Sequence, residues 1–520
     1  MNSTFRGDNL QGIFRSYWIE STKDTNYPKL EENIEVDIAI IGGGITGITL
    51  GYLLKKEGAK IAILEANKIA KGTTGHTTAK ITSQHHLIYD KLINQFGIER
   101  ALQYAEANEY AINFIEETIN EHNIQCDFHR LPAYMYTEDI NYIVKIEKEI
   151  EAANKLGLNA KYLSELPLPF STQAAVAFEN QAEFHPRKYL LPLAEKIPGE
   201  GSYIFENTPV VEIENENSFS LITANKKRVK ATKVVIASHF PCYDALGLYF
   251  TRLKPDRSYV IATNIKEEFP QGMFINAEEP GRSLRPQVHE DRQIVLVGGE
   301  GHKTGHGGST LQHYINLKNF AESTFNVNSF LYLWSTQDYI TLDLVPYVGY
   351  ITSSTENMYV ATGYGKWGMT NGTAAAILLK DLIIKKESPW QEVYNPSRNT
   401  TGKAIKSFFV ENTDVAVELI KGKLEKGEET LKLNLGEGKE VKIDGKKYGA
   451  YKDNEGNTHI VDITCTHLGC ELKWNDAEKS WDCPCHGSRF SYDGEVLEGP
   501  AHKKLNHYKE EPNRPDPNIV

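Results

Sequence analysis

The apolar run Val36–Ile41 predicts a buried strand, and Lys60–Leu64 predicts a second one. Between them Thr46–Lys56 carries apolar residues at helical spacing, and Gly58 stops that helix. Three glycines, Gly42, Gly44 and Gly47, occupy the turn from strand to helix in a G-x-G-x-x-G pattern. The stretch Ile81–Gly157 reads as helical, with apolar residues at helical spacing over Gln84–Phe96, Ile98–Glu121 and Asn141–Leu156. A helix is expected at Lys188–Lys196, and strands at Lys233–Ala237, within Arg252–Phe274 and at Gln293–Gly299. Met358–Leu382 predicts a strand, a glycine-rich turn and another helix. Trp390–Gly402 has linker composition, and Lys406–Leu424 predicts a short amphipathic helix followed by a charged hinge. From about Leu431 the pattern changes to short strands separated by glycine turns, the mark of a small all-β module.

With 520 residues the chain has room for about three domains. Its net charge is −12, and the lack of a basic block argues against a nucleic-acid partner. The opening MNSTFRGDNL is polar and has no apolar core of an export signal. The longest apolar stretches, near Ile45–Leu54 and Ala374–Ile384, are too short or too charged to span a bilayer, since Lys380 and Asp381 interrupt the second. A cytoplasmic protein without a membrane partner is the expectation. Four of the 6 cysteines fall between Cys465 and Cys485, which points to site chemistry rather than a secreted disulfide scaffold. Cys126 and Cys242 have no motif around them and are expected as buried free thiols.

The first strand, helix and second strand form a βαβ dinucleotide unit. Gly42 permits the tight turn, Gly44 lets the backbone approach a pyrophosphate, and Gly47 lets helix and sheet pack closely. The helix N-terminus offers N–H groups and a positive dipole end to phosphates. Glu65 ends the second strand, where a carboxylate would accept ribose hydroxyls. The following Gly72–Lys80, GTTGHTTAK, has small hydroxyl and amide donors that can wrap phosphates and a flat ring, although threonines before a helix also serve as caps and turns.

These segments, with Ala182–Arg187, Thr208–Ile213 and Met358–Leu382, resemble the flavin amine/amino-acid oxidase superfamily of the D-amino-acid oxidase and glycine oxidase type. The resemblance implies an α/β Rossmann-like FAD domain with an inserted α+β substrate domain. It places the cofactor against Gly42, Gly44, Ile45, Thr46 and Gly47, then Glu65 and Ala66, then Thr73, Thr74, Gly75, His76, Thr77 and Thr78. Val211 is expected beside the adenine, and Gly363, Gly365, Gly368, Met369 and Thr370 present backbone N–H groups to the flavin. The Gly-Thr-Thr-Gly-His string is also similar to the dimethylglycine and sarcosine dehydrogenase branch, where a histidine in this place is joined covalently to the flavin. Gly75 stands where that branch tends to carry an aromatic residue, so a non-covalent contact of His76 is expected. Lys366 and Trp367 lie inside the flavin-facing turn and are candidates for the reaction site. Arg282 and Arg285 are expected in a polar turn, where Arg285 is a candidate fork for a substrate carboxylate. The run from Val297 to Gly305 lacks a third glycine at the required spacing and is rejected as a second dinucleotide site.

Cys465-Thr-His467-Leu-Gly-Cys470 and Cys483-Pro-Cys485-His486-Gly-Ser488 form the chemical centre of the C-terminal module. Two thiolates and two imidazoles at this spacing can hold a binuclear iron centre asymmetrically, with Cys465 and Cys483 on one iron and His467 and His486 on the other. Zinc is the alternative, but zinc modules favour C-x-x-C pairs. The box resembles the Rieske [2Fe–2S] domain in its variety with a loop disulfide, which implies a Cys470–Cys485 bridge and an exposed exit edge at the two histidines. Gly499-Pro500-Ala501 matches that family's cluster-covering loop. Imidazole ligation places such clusters at roughly −150 to +300 mV. Ser488 can donate to a sulfur, whereas Phe490 stands where the highest-potential members have a donating tyrosine, so an intermediate potential is expected.

The expected organisation is a strap over 1–33, an FAD domain over 34–395, a linker over 396–430, a Rieske domain over 431–507 and a tail over 508–520. Within the FAD domain the cofactor-binding parts are about 34–100, 180–240 and 335–390, and the substrate parts about 100–180 and 241–334. The expected activity is oxidation of a C–N bond in a small amine or amino acid on FAD. Electrons leave singly through the cluster to a soluble one-electron carrier. The reverse relay and a redox-sensing protein without turnover are the alternatives.

Overall fold

The computed structural model describes residues 10–215, 218–243, 247–290, 292–398 and 432–508, together with 412, 415 and 418. The start of the expected strap (1–9), the hinge, nearly all of the helix expected over 406–424, and the tail beyond 508 lie outside the described residues. The chain divides into two compact units. Met1–Gly301 and Gln312–Ser407 form the first, and His302–Leu311 and Phe408–Val520 form the second.

The apolar run near Val36 forms the strand Ile34–Ile41, at the centre of an eight-stranded sheet. Ile61–Leu64 and Arg228–Ile236 flank it, with Tyr203–Phe205 and Met358–Thr362 outside them, all parallel. Ile38, Ala39, Ile40 and Ile41 are all buried, because a parallel strand covered on both faces has no solvent side. Val210–Asn215 and Phe219–Thr223 form a hairpin that adds antiparallel to Arg228–Ile236. Helix Ile45–Lys56 packs on helix Gly368–Ile384, and Gly372 lets them close, since an added Cβ would stand 2.8 Å from Ile45 Cγ2.

The second sheet of this unit has nine strands and is mixed. Its longest pair, Leu253–Ile265 and Val327–Thr341 at one edge, is antiparallel over its whole length. The stretch read as helical is helical only in part. Tyr89–Phe96, Ile98–His122 and Ile143–Lys155 are helices, but His129–Thr137 is a strand of this sheet. Its alternating buried residues, Leu131, Ala133 and Met135, carry the period-2 signal that the surrounding helices obscured. Arg282–His289 is likewise a strand rather than a polar turn.

Residues 10–33 lie on the first unit through buried polar anchors. Tyr17 and Trp18 are buried. Arg187 donates to Thr22 Oγ1 at 2.7 Å and to the carbonyls of Lys23, Ile69 and Ala70. Glu206, fully buried, accepts from Tyr27 N at 3.1 Å, Ile69 N at 3.0 Å, Lys68 Nζ at 2.8 Å and the Thr25 hydroxyl. His185 holds Ser21 Oγ at 2.9 Å, and burial pushes its imidazole down to about 3.

The second unit is all-β where it is described beyond residue 432. A three-stranded sheet (Gly438–Ile443, Lys446–Lys452, Thr458–Val461) accompanies a four-stranded one (Lys473–Asn475, Ser480–Asp482, Arg489–Ser491, Val496–Glu498). Trp481 fills its core, and Gly449 is required beside it, because an added Cβ would stand 2.3 Å from the indole. Buried Arg489 is neutralised by Asp482 at 3.0 Å, by Glu498 at 2.8 Å and by Glu478. Among the described residues no helix is long and apolar enough to cross a membrane.

Glu206→Ala leaves the buried N–H groups of Tyr27 and Ile69 unsatisfied and Lys68 without its carboxylate. Denaturant unfolding of the full chain is expected to show a loss of roughly 3 kcal/mol. Wild-type stability would show that the strap is not anchored there.

Candidate functional site

The first site is built on the turn after Ile34–Ile41. Gly42 has φ +108°, and an added Cβ would stand 2.5 Å from the carbonyl oxygen of Ala237 on the neighbouring chain segment. At Gly47 a Cβ would stand 1.9 Å from the Gly42 oxygen, so helix and turn close only on glycine. Gly44 is open by comparison, its Cβ meeting only Thr74 Oγ1 at 3.2 Å. Gly43, not singled out from sequence, is equally constrained, with Ile69 Cγ2 2.6 Å from its Cβ position. The Gly43 N–H donates to Glu65 Oε2 at 2.8 Å, and Asn67 N donates to Oε1 at 2.9 Å. Burial raises the Glu65 carboxyl, and these N–H groups oppose the shift. A carboxylate has lone pairs beyond two such bonds. The glycine cradle, the helix N-terminus and the acid therefore fit a dinucleotide.

The threonine loop is held from several directions. Ile45 N donates to Thr74 Oγ1 at 3.1 Å, and Thr73 Oγ1 donates to the Gln337 carbonyl at 3.2 Å. Trp18 Nε1 donates to the Thr77 carbonyl at 2.6 Å and Trp334 Nε1 to the His76 carbonyl at 2.8 Å. Ring nitrogen Nδ1 of His76 lies 2.9 Å from the Gly72 carbonyl, which fixes the ring within the loop. Gly75 abuts Ile19 of the strap, its Cβ position 3.3 Å from Ile19 Cγ1.

Arg285 does not offer a fork to a substrate. Its guanidinium is fully buried and donates to the carbonyls of Thr78 at 2.7 Å, Ala79 at 2.9 Å and Pro286 at 3.0 Å, and to Gln287 Oε1 at 2.5 Å. Glu183 balances its charge at 3.1 Å. The expectation of a carboxylate-binding role is corrected accordingly: Arg285 clamps the threonine loop. Lys80, beside it, is buried against the hydroxyls of Thr78 and Ser283, and burial followed by the Arg285 charge pushes its amine down to about 7.

The closing turn approaches the same glycine cradle. Tyr364 OH and Thr46 Oγ1 are 2.7 Å apart, joining the turn to the first helix. Gly363 and Gly365 have φ +80° and +56°, and helix Gly368–Ile384 starts directly after Trp367. Met369 and Thr370 are buried, and Thr370 Oγ1 donates to the Thr82 carbonyl at 2.9 Å. Trp367 stacks on buried His85 with ring centroids 4.8 Å apart. Lys366 Nζ lies 2.7 Å from Asp256 Oδ1, a partner that no sequence motif marks. Ala66 follows Glu65 at the strand end, and Val211 sits at an irregularity of its hairpin, 43% exposed.

In the second unit the two ligand loops come together. Cys470 and Cys485 form a disulfide. Cys483 lies within 4.8 Å of that pair, and because the paired sulfurs are bonded to each other it is not their ligand partner. Its counterpart is Cys465. Hydrogen bonding from Cys483 holds the Cys465 thiol down to about 7, while contact with Cys465 and burial push Cys483 well up. His467 and His486 stand with ring centroids 5.1 Å apart, and their Nδ1 atoms are buried. Burial pushes them down to about 4 and about 3, so both rings are neutral, as metal ligation needs. Ser488 accepts from Ala501 N at 3.0 Å, which leaves its hydroxyl proton for Cys465. Phe490 is fully buried in the module core. Two thiols, two neutral imidazoles and a covering loop fit a binuclear iron–sulfur cluster.

Residues 37–382 match the family described as FAD dependent oxidoreductase, and residues 427–509 match the Rieske [2Fe-2S] domain. The Bacillus subtilis protein YhfW, named as a candidate Rieske 2Fe-2S iron-sulfur protein, is 45% identical over 94% of this chain and 96% of its own length. Gamma-glutamylputrescine oxidoreductase of Escherichia coli is 22% identical over 71% of this chain and 88% of its own. Among solved structures, glycine oxidase from Geobacillus kaustophilus superposes with a TM-score of 0.60 at 17% identity, covering 71% of this chain and 100% of its own.

Gly47→Ala is expected to abolish flavin absorbance in the purified protein while the cluster's electron paramagnetic resonance signal persists; retained flavin would place the dinucleotide elsewhere. Ser488→Ala is expected to lower the cluster potential by roughly 60 mV in protein-film voltammetry, one hydrogen bond to a charged acceptor being about 1.4 kcal/mol. An unchanged potential would remove Ser488 from that role.

Proposed function

Because the chain belongs to the FAD-dependent oxidoreductase family and carries a Rieske [2Fe–2S] domain, we propose that it oxidises the C–N bond of a small amine or amino acid and passes the electrons singly to a soluble one-electron carrier. The observation that carries this reading is the presence of both sites in one chain. A flavin supplies two-electron hydride chemistry and a Rieske cluster supplies one-electron transfer. Holding the two centres on one chain raises their effective concentration. The names of the similar proteins, a gamma-glutamylputrescine oxidoreductase and a glycine oxidase, support a C–N substrate.

In this reading Cys465 and Cys483 hold one iron and His467 and His486 the other, with the Cys470–Cys485 disulfide keeping the two loops in register. Gly42, Gly44, Gly47 and Glu65 hold the dinucleotide, and the clamped threonine loop shapes the wall beside it. Lys366 and Trp367 face the reacting groups. Trp367, held flat by its stack on His85, excludes water from one side, and Lys366 contributes a fixed ammonium. His76 contacts the cofactor without a covalent bond.

The test is anaerobic reduction by a panel of amines, N-methylated amino acids and amino acids, with NADH and NADPH as controls, followed by absorbance and electron paramagnetic resonance. One C–N substrate should bleach the flavin and then produce a Rieske signal. Reduction of the flavin only by a reduced ferredoxin, arriving after the cluster, would overturn the direction. No reduction by any organic donor would overturn the enzyme reading of the site.

A further inference from the structure

Lys366 adopts φ +76°, a left-handed backbone conformation that favours glycine. A non-glycine residue there is strained and persists only where its surroundings hold it. Three features surround its ammonium. Asp256 Oδ1 lies 2.7 Å from Nζ, and Asp256 is only 8% exposed. Gly301 supplies the space for this pair, since an added Cβ would stand 2.8 Å from Lys366 Nζ and 3.3 Å from Asp256 Oδ1. Asp338 is directly opposite Asp256 across the antiparallel pair Leu253–Ile265 and Val327–Thr341. Carboxylates opposite one another repel, and a cation set against them relieves the repulsion.

We infer that Asp256 is a positioning residue, whose buried carboxylate fixes the Lys366 ammonium in the closing turn through an ion pair; the consequence for catalysis rests on the proposed placement of Lys366 at the reacting groups. Asp338 and Glu279 also act on Lys366, and the Lys366 charge in turn adds to the burial that pushes the His86 imidazole down to about 4. Burial alone disfavours the charged amine. Asp256 above all, with Asp338 and Glu279, outweighs burial and raises Lys366 above the ordinary lysine value. Removing the Asp256 charge therefore lets the proton leave at lower pH, and any loss of function it causes must grow as pH rises.

The test is competitive acetylation of the full chain across pH, with labelling of Lys366 read by mass spectrometry. Its side chain is 32% exposed, which leaves the reagent access. This readout needs no substrate, so it stands even if no amine reduces the flavin. In Asp256→Asn the labelling midpoint should fall by about one pH unit or more, a tenfold change in proton affinity; Asp256→Glu should restore it. Where a C–N substrate has been found, Asp256→Asn should reduce flavin at a rate similar to wild type near pH 6 and about fivefold more slowly one pH unit above the variant's labelling midpoint, where about a tenth of its Lys366 amines and about half of the wild type's keep the proton. The double variant Asp256→Asn/Lys366→Arg should lose that pH dependence, because arginine keeps its proton. An unshifted labelling midpoint overturns the inference. So does a rate defect equal at every pH, or one whose pH dependence survives in the double variant.

Discussion

The closest backbone approach in the cofactor unit is the constraint on which the rest depends. At Gly47 a single added carbon would lie 1.9 Å from the Gly42 oxygen, and at Gly42 it would lie 2.5 Å from the Ala237 oxygen. Strand Ile34–Ile41, helix Ile45–Lys56 and the end of strand Arg228–Ile236 therefore meet at a point with no room for side chains. That packing aims the helix N-terminus and brings Gly43 N–H to Glu65. It also sets the helix against Gly368–Ile384, so that Thr46 reaches Tyr364 in the closing turn. The glycine turn and the closing turn, far apart in sequence, are positioned by one steric minimum.

Around this centre the first unit uses buried polar groups where a loop cannot be held by strands. Backbone carbonyls of Thr77, His76, Thr78 and Ala79 would be costly to bury alone. Trp18 satisfies one, Trp334 another, and Arg285 the remaining two. These donors come from the strap and from two strands of the second sheet, so loop shape is a property of the whole unit. The same logic explains Glu206 and Arg187, which convert residues 17–27 from a polar segment into a fixed part of the unit. The Rieske module solves its equivalent problem covalently, with a disulfide joining the ligand loops and Ser488 reaching the covering loop.

The described residues include many buried ionisable groups. Each has a named counterpart or an environment that removes its charge. Arg489 is matched by three acids, Arg285 by Glu183, and buried Asp256 by the partly exposed Lys366. His85, His185, His467 and His486 are instead kept neutral by burial. Neutral imidazoles suit structure and metal ligation alike.

The sequence by itself determined the elements whose chemistry is local. The glycine turn, the acid at the strand end, the Cys-x-His and Cys-x-x-His spacing and the all-β character of the last module could be read directly, because each depends on residues within a few positions of one another. Cys470 and Cys485 were legible as a pair through family resemblance, and the structure bonds them. Tertiary structure alone decided what depends on distant neighbours. The strand His129–Thr137 was hidden among helices because its short alternation became meaningful only beside Ala174–Glu183. Arg285 looked like a substrate fork because its residue type suits carboxylates, yet its donors are spent on a loop two hundred residues earlier in the chain. Asp256 carries no motif at all, and its pairing with Lys366 arises from the meeting of strand Leu253–Ile265 and the closing turn. Spacing along the chain encodes local geometry, but the partner of a buried charge is set by which strands lie side by side, and only the folded sheet specifies that.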